Sequence, residues 1–414
     1  MKLLIIGGGI GGLATALALH KAGIDVEIFE QSQELRELGV GINLLPHAVK
    51  ELAALGLLPA LDRAGIRTRE LIYTNRLGQV VWRELRGLDA GYDVPQLSIH
   101  RGKLHGVLLR AALERLGPSR LHTDRRLVDF SERAGHVAAH FESRASGERF
   151  TAVGDGLIGA DGIHSRVRGI FYPEEGPALW SGIMLWRGAT TWPIHEDGRT
   201  MVIAGGNAAK FVFYPIHFDP AHPDHRLTNW AIMARVADGP GPPPRREDWN
   251  SVGKLEEARA FVHDSFTLGF VEPAQIIEAT GTFYEYPNCD RDPVASWSFG
   301  RATLLGDAAH PMYPVGSNGA SQAILDAAAL ARHLTATPDI VAAFKAYDAE
   351  RRPMTADIVR NNRRGGPEGV IDLVEARAPQ GFDDIEKVAT FAEREAIVRG
   401  YAAVAGYARE QVNR

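Results

Sequence analysis

The stretch Gly7-Gly8-Gly9-Ile10-Gly11-Gly12 constrains this chain more than any other. It carries G-x-G-x-x-G between a buried strand pattern, Leu3 to Ile6, and an Ala/Leu-rich helical pattern, Leu13 to Ala22. A second strand, Val26 to Glu30, follows and ends on an acid eighteen positions after the last motif glycine. Glycines here permit a tight turn and bring backbone N–H groups at a helix N-terminus close to a pyrophosphate, while a carboxylate in the place of Glu30 accepts from ribose hydroxyls. The expected fold is therefore α/β, opening with a Rossmann-type dinucleotide unit in which Gly7, Gly9, Gly11, Gly12 and Glu30 meet the cofactor.

At 414 residues the chain is long enough for two or three domains. Helical patterns run from Pro46 to Ala64 and from Lys103 to Leu116, and Leu71 to Leu85 reads as a hairpin turning at Arg76-Leu77-Gly78. From Leu179 to about Glu285 the pattern is mostly strand, broken by a loop over Gly239-Pro240-Gly241-Pro242-Pro243-Pro244. Dinucleotide-type architecture returns with a strand at Ala302 to Leu305 and a helix from Gly319 to Leu334, and the helices that follow from Arg351 onward are expected on the outside. The expected division is a discontinuous cofactor domain (1–68, 98–176 and 288–350), an antiparallel β-sheet substrate domain (69–97 and 177–287) and a C-terminal helical region (351–414).

Two further segments carry chemistry. Gly154-Asp155-Gly156-Leu157-Ile158-Gly159 repeats the glycine spacing but ends a strand instead of opening a helix, so it is not expected to be a second dinucleotide loop. It leads into Ala160-Asp161-Gly162-Ile163-His164-Ser165-Arg166, a turn at a sheet's carboxyl edge, where ligand crevices form. Strand Ala302 to Leu305 runs into Gly306-Asp307-Ala308-Ala309-His310-Pro311 and then Pro314-Val315-Gly316-Ser317-Asn318-Gly319. Asp307 is placed to hold a hydroxyl chain, and the next helix offers unpaired N–H groups at Gly319 and Ala320.

Composition removes other classes. Forty-six Lys and Arg against 51 Asp and Glu give a net charge of −5 without single-sign blocks, which argues against nucleic acid and anionic membranes as partners. No apolar run reaches the ~18 residues of a spanning helix. The lone Cys289 rules out an internal disulfide and Cys-based zinc modules, in keeping with the cytoplasm. His217, His222 and His225 near Asp219 and Asp224 have irregular spacing and read as solvated loop residues, so no metal is expected.

The three glycine/acid segments, in this order and across 300 positions, resemble the single-component FAD-dependent aromatic hydroxylases. The resemblance implies FAD bound also through Gln31, Val40, Gly41, Arg101, Leu127, Asp161 and the Gly306-Asp307 segment, with NADH or NADPH as transient reductant. It implies that O2 adds to the reduced flavin to give a C4a-hydroperoxide that hydroxylates an aromatic or heteroaromatic small molecule. A reductase without oxygen insertion and a non-catalytic flavin-dependent sensor are the alternatives. Gly39-Val40-Gly41-Ile42-Asn43, Trp186-Arg187-Gly188, Tyr214-Pro215 and Gly319 to Ile324 resemble the phenazine-hydroxylating members in particular; Ser321 and Asn318 depart from the wider pattern of Asn and Gln. Candidates at the reacting end are Arg187, Tyr214 and Pro314, with Trp186 and Tyr313 as further aromatic walls and Arg187 facing a substrate carboxylate or oxygen. A homodimer is compatible with this reading.

Overall fold

The computed structural model describes residues 1–37, 39–239, 241–245, 251–262 and 265–414; Pro240 of the expected loop lies outside them. Its first layer is a six-stranded sheet in the order Ser298–Phe299, Ala302–Leu304, Gly156–Gly159, Lys2–Ile6, Asp25–Phe29, Leu121–His122. All neighbours are parallel except the first pair. Leu3, Leu4 and Ile5 are fully buried in it, as strands covered on both faces require. Helices Ile10–Lys21, Arg101–Leu116 and Gly319–Ala336 pack into the same core through Leu13, Leu17, Leu104, Leu108, Ile324 and Leu330.

The glycine loop owes its shape to close approaches. Gly7 has φ +110°, and a Cβ there would stand 2.3 Å from the carbonyl oxygen of Ala160. A Cβ at Gly12 would stand 2.0 Å from the carbonyl oxygen of Gly7, so only glycine lets the helix start against the strand that precedes it. The helix accordingly begins at Ile10, three residues before the apolar periodicity does.

The second layer is a seven-stranded sheet in the order Tyr284–Asp290, Leu179–Pro193, His225–Arg235, Ala209–His217, Thr200–Ala204, Glu70–Thr74, Val80–Leu85. It is antiparallel except that Thr200–Ala204 and Glu70–Thr74 run parallel, a departure from the all-antiparallel expectation that arises because the hairpin 70–85 is added from a distant part of the chain. The hairpin turn is closed by Asn75, whose side-chain oxygen accepts from the amides of Leu77 (3.0 Å) and Gln79 (2.9 Å).

Alternation divides this sheet into two buried faces. Trp186, Phe211, Phe213, Trp230 and Ile232 form one core with Phe266 and Ile276. Leu185, Arg187, Val212, Tyr214, Ala231 and Met233 face the other way, toward the cofactor layer. A small three-stranded sheet (Gly41–Leu44, Gln96–His100, Gly65–Thr68), not anticipated from the short runs that build it, sits at the junction.

The C-terminal helices correct the expected periphery. Val370, Ile371, Val374 and Val398 pack on Leu71, Tyr73, Met201 and Tyr214 of the large sheet, so this region is part of the core. The expected boundary between 350 and 351 falls inside one continuous helix, Ile340–Arg363, from which Arg351 reaches back to Asp326 (Nε to Oδ1, 2.8 Å).

Candidate active site

Between the two layers lies a cavity of about 450 Å³. Two helix N-termini converge on it. Gly9 and Asn318 precede the helices Ile10–Lys21 and Gly319–Ala336, and neither helix carries a side-chain cap, so first-turn N–H groups are left for a ligand. A Cβ at Gly9 would meet nothing within 4 Å: the loop is bare toward the cavity.

The acids of the cofactor segments surround this space. Glu30 accepts from the amides of Gly8 (Oε2, 2.8 Å) and Ser32 (Oε1, 2.8 Å), which fixes the carboxylate while each oxygen keeps a lone pair. Asp161 caps the short helix Arg166–Phe171 region by accepting from the amides of Arg166 (2.6 Å) and Val167 (3.2 Å); burial pushes its carboxyl up, and Ser165 and these amides oppose that shift. Asp307 is exposed only in the sense that its side chain opens onto the cavity; protein surrounds it otherwise, and this desolvation pushes its carboxyl up against the opposing pull of His310 and Arg101.

Behind Asp307 stands a buried polar cluster. Asp326 accepts from the Gly306 amide (3.1 Å), meets His310 Nε2 (2.6 Å) and receives Arg351 Nε. Arg351 Nη2 also donates to Gln322 Oε1 (2.6 Å). His310 and Arg351 hold the Asp326 carboxyl below the ordinary range despite complete burial. The Gly306 turn is thereby pinned from the side away from the cavity.

Of the sequence-selected residues, Gly7, Gly9, Gly11, Glu30, Gln31, Gly41, Arg101, Leu127, Asp161, Gly306, Asp307, Gly319 and Ala320 line the cavity, as do Arg187, Tyr214 and Pro314. Gly12 and Val40 do not. Gly12 serves the packing of helix on strand, and buried Val40 offers its carbonyl oxygen to the Arg101 amide at 2.7 Å.

Two aromatic expectations are corrected. Trp186 lies on the opposite face of the sheet from Arg187, its ring tilted against Phe261 with centroids 4.9 Å apart and its indole N–H donating to Glu285 Oε2 (3.1 Å). Tyr313 is buried outside the cavity wall, where its carbonyl oxygen accepts from Asn362 Nδ2 at 3.0 Å. The two departures from the family pattern have partners: Ser321 Oγ accepts from the Leu45 amide (3.1 Å), and Asn318 Nδ2 donates to the Tyr401 hydroxyl (2.9 Å). Gly156–Gly159 is an internal strand of the parallel sheet. His222 pairs with Asp219 at 3.0 Å on the exposed loop, and His217 and His225 end the strands flanking it.

Arg187 bridges the two layers. Its Nη1 donates to the Tyr286 hydroxyl (2.8 Å) and its Nη2 to the carbonyl oxygen of Gly41 (2.6 Å). Asn229, which the sequence reading passed over, takes the Gly41 amide on its Oδ1 (2.8 Å). A polar residue directly preceding the apolar run Trp230-Ala231-Ile232-Met233 was the available signal. Glu368 was also missed; it lines the cavity, accepts from the Gly316 amide (3.1 Å) and is ion-paired with buried Lys210.

Paired helix N-termini, a bare glycine loop and three acids beyond strand ends make a site for an extended dinucleotide, roofed by an apolar sheet: the arrangement of a cofactor-dependent oxidoreductase acting on a small molecule. The sequence matches the family described as FAD binding domain over residues 1–252 and 277–362. The chain is 43% identical over 364 residues to phenazine 1,6-dicarboxylic acid hydroxylase PhzS of Lysobacter antibioticus, covering 87% of this chain and 89% of that one. It is 30% identical over 400 residues to 3-hydroxybenzoate 6-hydroxylase of Polaromonas naphthalenivorans (strain CJ2), covering 93% and 94%. The crystal structure of Klebsiella pneumoniae HpxO complexed with FAD and uric acid shares the fold, with TM-score 0.74 at 24% identity over 100% of this chain and 96% of that one. The chain belongs to the family of FAD-dependent aromatic hydroxylases, and it is a flavoprotein monooxygenase. Among the described residues no helix is long and apolar enough to cross a membrane.

Proposed function

We propose that this enzyme hydroxylates a flat, carboxylate-bearing heteroaromatic compound of the phenazine type, with NADH or NADPH as reductant, in the cytoplasm. The observation that carries the reading is the cavity in which the cofactor loops meet the apolar face of the seven-stranded sheet, joined to the higher identity with a phenazine-dicarboxylate hydroxylase than with a hydroxybenzoate hydroxylase. Leu185, Met201, Ile203 and Met233 supply a flat, polarisable wall for a ring system, and Tyr214 closes it.

FAD, when bound and reduced, supplies the activation of O2. The protein's part is to hold, orient and keep dry. The helix starting at Ile10 and the acid Glu30 would hold the adenosine and pyrophosphate end, Asp307 the hydroxyl chain, and the N–H groups at Gly319 and Ala320 negative charge on the ring. Arg101, Gln31, Leu127 and Asp161 complete this wall. Arg187 keeps Gly41 against the roof, so its role is to position the flavin-side wall next to the substrate, and Pro314 shapes the opposite edge. Burial pushes the Tyr214 hydroxyl well above its ordinary value, so it would act as a neutral hydrogen-bonding group. We assign 1–68, 98–176 and 288–350 to the cofactor unit, extended through the end of the helix at Arg363, and 69–97 with 177–287 to the roof.

The test is NAD(P)H oxidation by the FAD-loaded enzyme with phenazine-1,6-dicarboxylate, phenazine-1-carboxylate and 3-hydroxybenzoate under ¹⁸O2. Phenazine-stimulated oxidation with label in the product supports the proposal. Stimulation by 3-hydroxybenzoate alone refutes the substrate assignment.

A further inference from the structure

Asn229 occupies an unusual place on the roof. It is 1% exposed, lines the cavity and sits directly across the strand pairing from Tyr214. Its partner on the cofactor side is a backbone amide, that of Gly41. An N–H can only donate, so the atom at 2.8 Å is the amide oxygen and the orientation of the side-chain amide is fixed.

With the oxygen committed to Gly41, the NH2 group must point away from it. No hydrogen bond from this NH2 group to an acceptor occurs among the described residues, and the residue lines the cavity. Gly41 has no side chain to block the contact: a Cβ there would stand 2.6 Å from Asn229 Cβ. The guanidinium of Arg187 donates to the carbonyl oxygen of the same glycine, so the residue that orients Asn229 is held at both its N–H and its C=O.

We propose that Asn229 is a substrate-specificity residue whose NH2 group donates to an acceptor atom within the ring system or directly on it, a ring nitrogen or an oxygen substituent. A donor buried in a mostly apolar cavity is costly when unpaired, and so discriminates strongly against an isostere lacking the acceptor. The inference rests on the aromatic-carboxylate reading above and adds to it the feature that selects among flat aromatics: an acceptor on the ring edge facing the Tyr214–Asn229 pair.

The test compares phenazine-1-carboxylate with anthracene-1-carboxylate, which share shape and carboxylate and differ in the two ring nitrogens. Binding to oxidised, FAD-loaded enzyme is read from perturbation of the flavin absorption spectrum. The wild type is expected to prefer the phenazine by about tenfold or more. Asn229→Asp keeps the acceptor for the Gly41 amide but loses the donor. Its added charge acts on both ligands through the same carboxylate, so the ratio of affinities reports the donor, and it should fall to within about threefold of unity. Asn229→Leu should give the same collapse, and retained FAD in either variant certifies the fold. Equal affinities in the wild type, or a preference that survives both variants, overturns the inference and leaves the aromatic reading standing. Absence of binding by either ligand to FAD-loaded wild type overturns the aromatic-carboxylate reading, and this inference with it.

Discussion

Gly41→Ala would test the junction between the layers most sharply. The added methyl would fall 2.6 Å from Cβ, 2.7 Å from Cγ and 2.8 Å from Oδ1 of Asn229, all closer than carbon atoms approach. Neither partner is a flexible chain end. Asn229 is locked in a central strand, and Gly41 pairs with His100 in the small sheet. Forcing a methyl into such a site costs about 1–3 kcal/mol. Parting the strands to make room also weakens the Gly41–Asn229 hydrogen bond, worth about 1 kcal/mol. The sum is about 2–4 kcal/mol, and an unfolding entropy of about 2.1 cal/mol/K per residue over this chain converts it to a fall in Tm of about 2–5 °C. Thermal unfolding of FAD-loaded protein, followed by circular dichroism and by release of flavin fluorescence, measures it. The decisive arm is the Asn229→Gly background, where all three colliding atoms are gone. There Gly41→Ala should cost no more than about 0.5 kcal/mol, a surface-like effect. An equal fall in both backgrounds would refute the reasoning, because the collision would then not be with Asn229.

Three other outcomes follow from the cofactor side. Arg351→Met strands the fully buried Asp326 and should destabilise by about 3–5 kcal/mol in urea unfolding, whereas Arg352→Met, which removes a partly exposed partner from an Asp348 that keeps the Ser296 hydroxyl and Trp297 amide, should cost no more than about 1 kcal/mol. Because the folded Asp326 carboxyl is depressed, its contribution is fully present above the unfolded-state value of roughly 3.9 and is lost as pH falls through the lower folded value. The stability gap between wild type and Asp326→Asn should therefore shrink on acidification below that value, and a constant gap in unfolding experiments would contradict the assignment. Asp307→Ala should weaken FAD binding by about tenfold by equilibrium dialysis, through loss of a charged acceptor, with secondary structure unchanged.

The cofactor half was legible because its signals are local. A glycine whose Cβ would strike a backbone oxygen five residues away leaves its mark in a short window of sequence; Gly12, set against the carbonyl oxygen of Gly7, is such a case. The roof was less legible for a reason of burial. Both faces of Leu179–Pro193 are covered, so Trp186 and Arg187 could be seen to point apart, but nothing in their alternation said which one faced the cavity. Asn229 and Glu368 owe their importance to partners 188 and 52 residues distant, Gly41 and Gly316. The small sheet at the junction is built from strands of four and five residues drawn from three separate segments, too short to impose a period.

The two-faced roof has a consequence for how such an enzyme changes what it accepts. Odd and even positions along one strand answer to different demands. Phe211, Phe213, Trp230 and Ile232 hold the sheet to its outer covering, while their immediate neighbours Val212, Tyr214, Ala231 and Met233 meet the substrate space. Variation confined to one parity can reshape the chamber and leave the outer packing intact, since adjacent side chains on a strand do not touch. A library that randomises Leu185, Val212, Ala231 and Met233 should therefore yield mostly folded, yellow proteins with altered ligand preference. One that randomises the intervening positions should yield mostly insoluble ones.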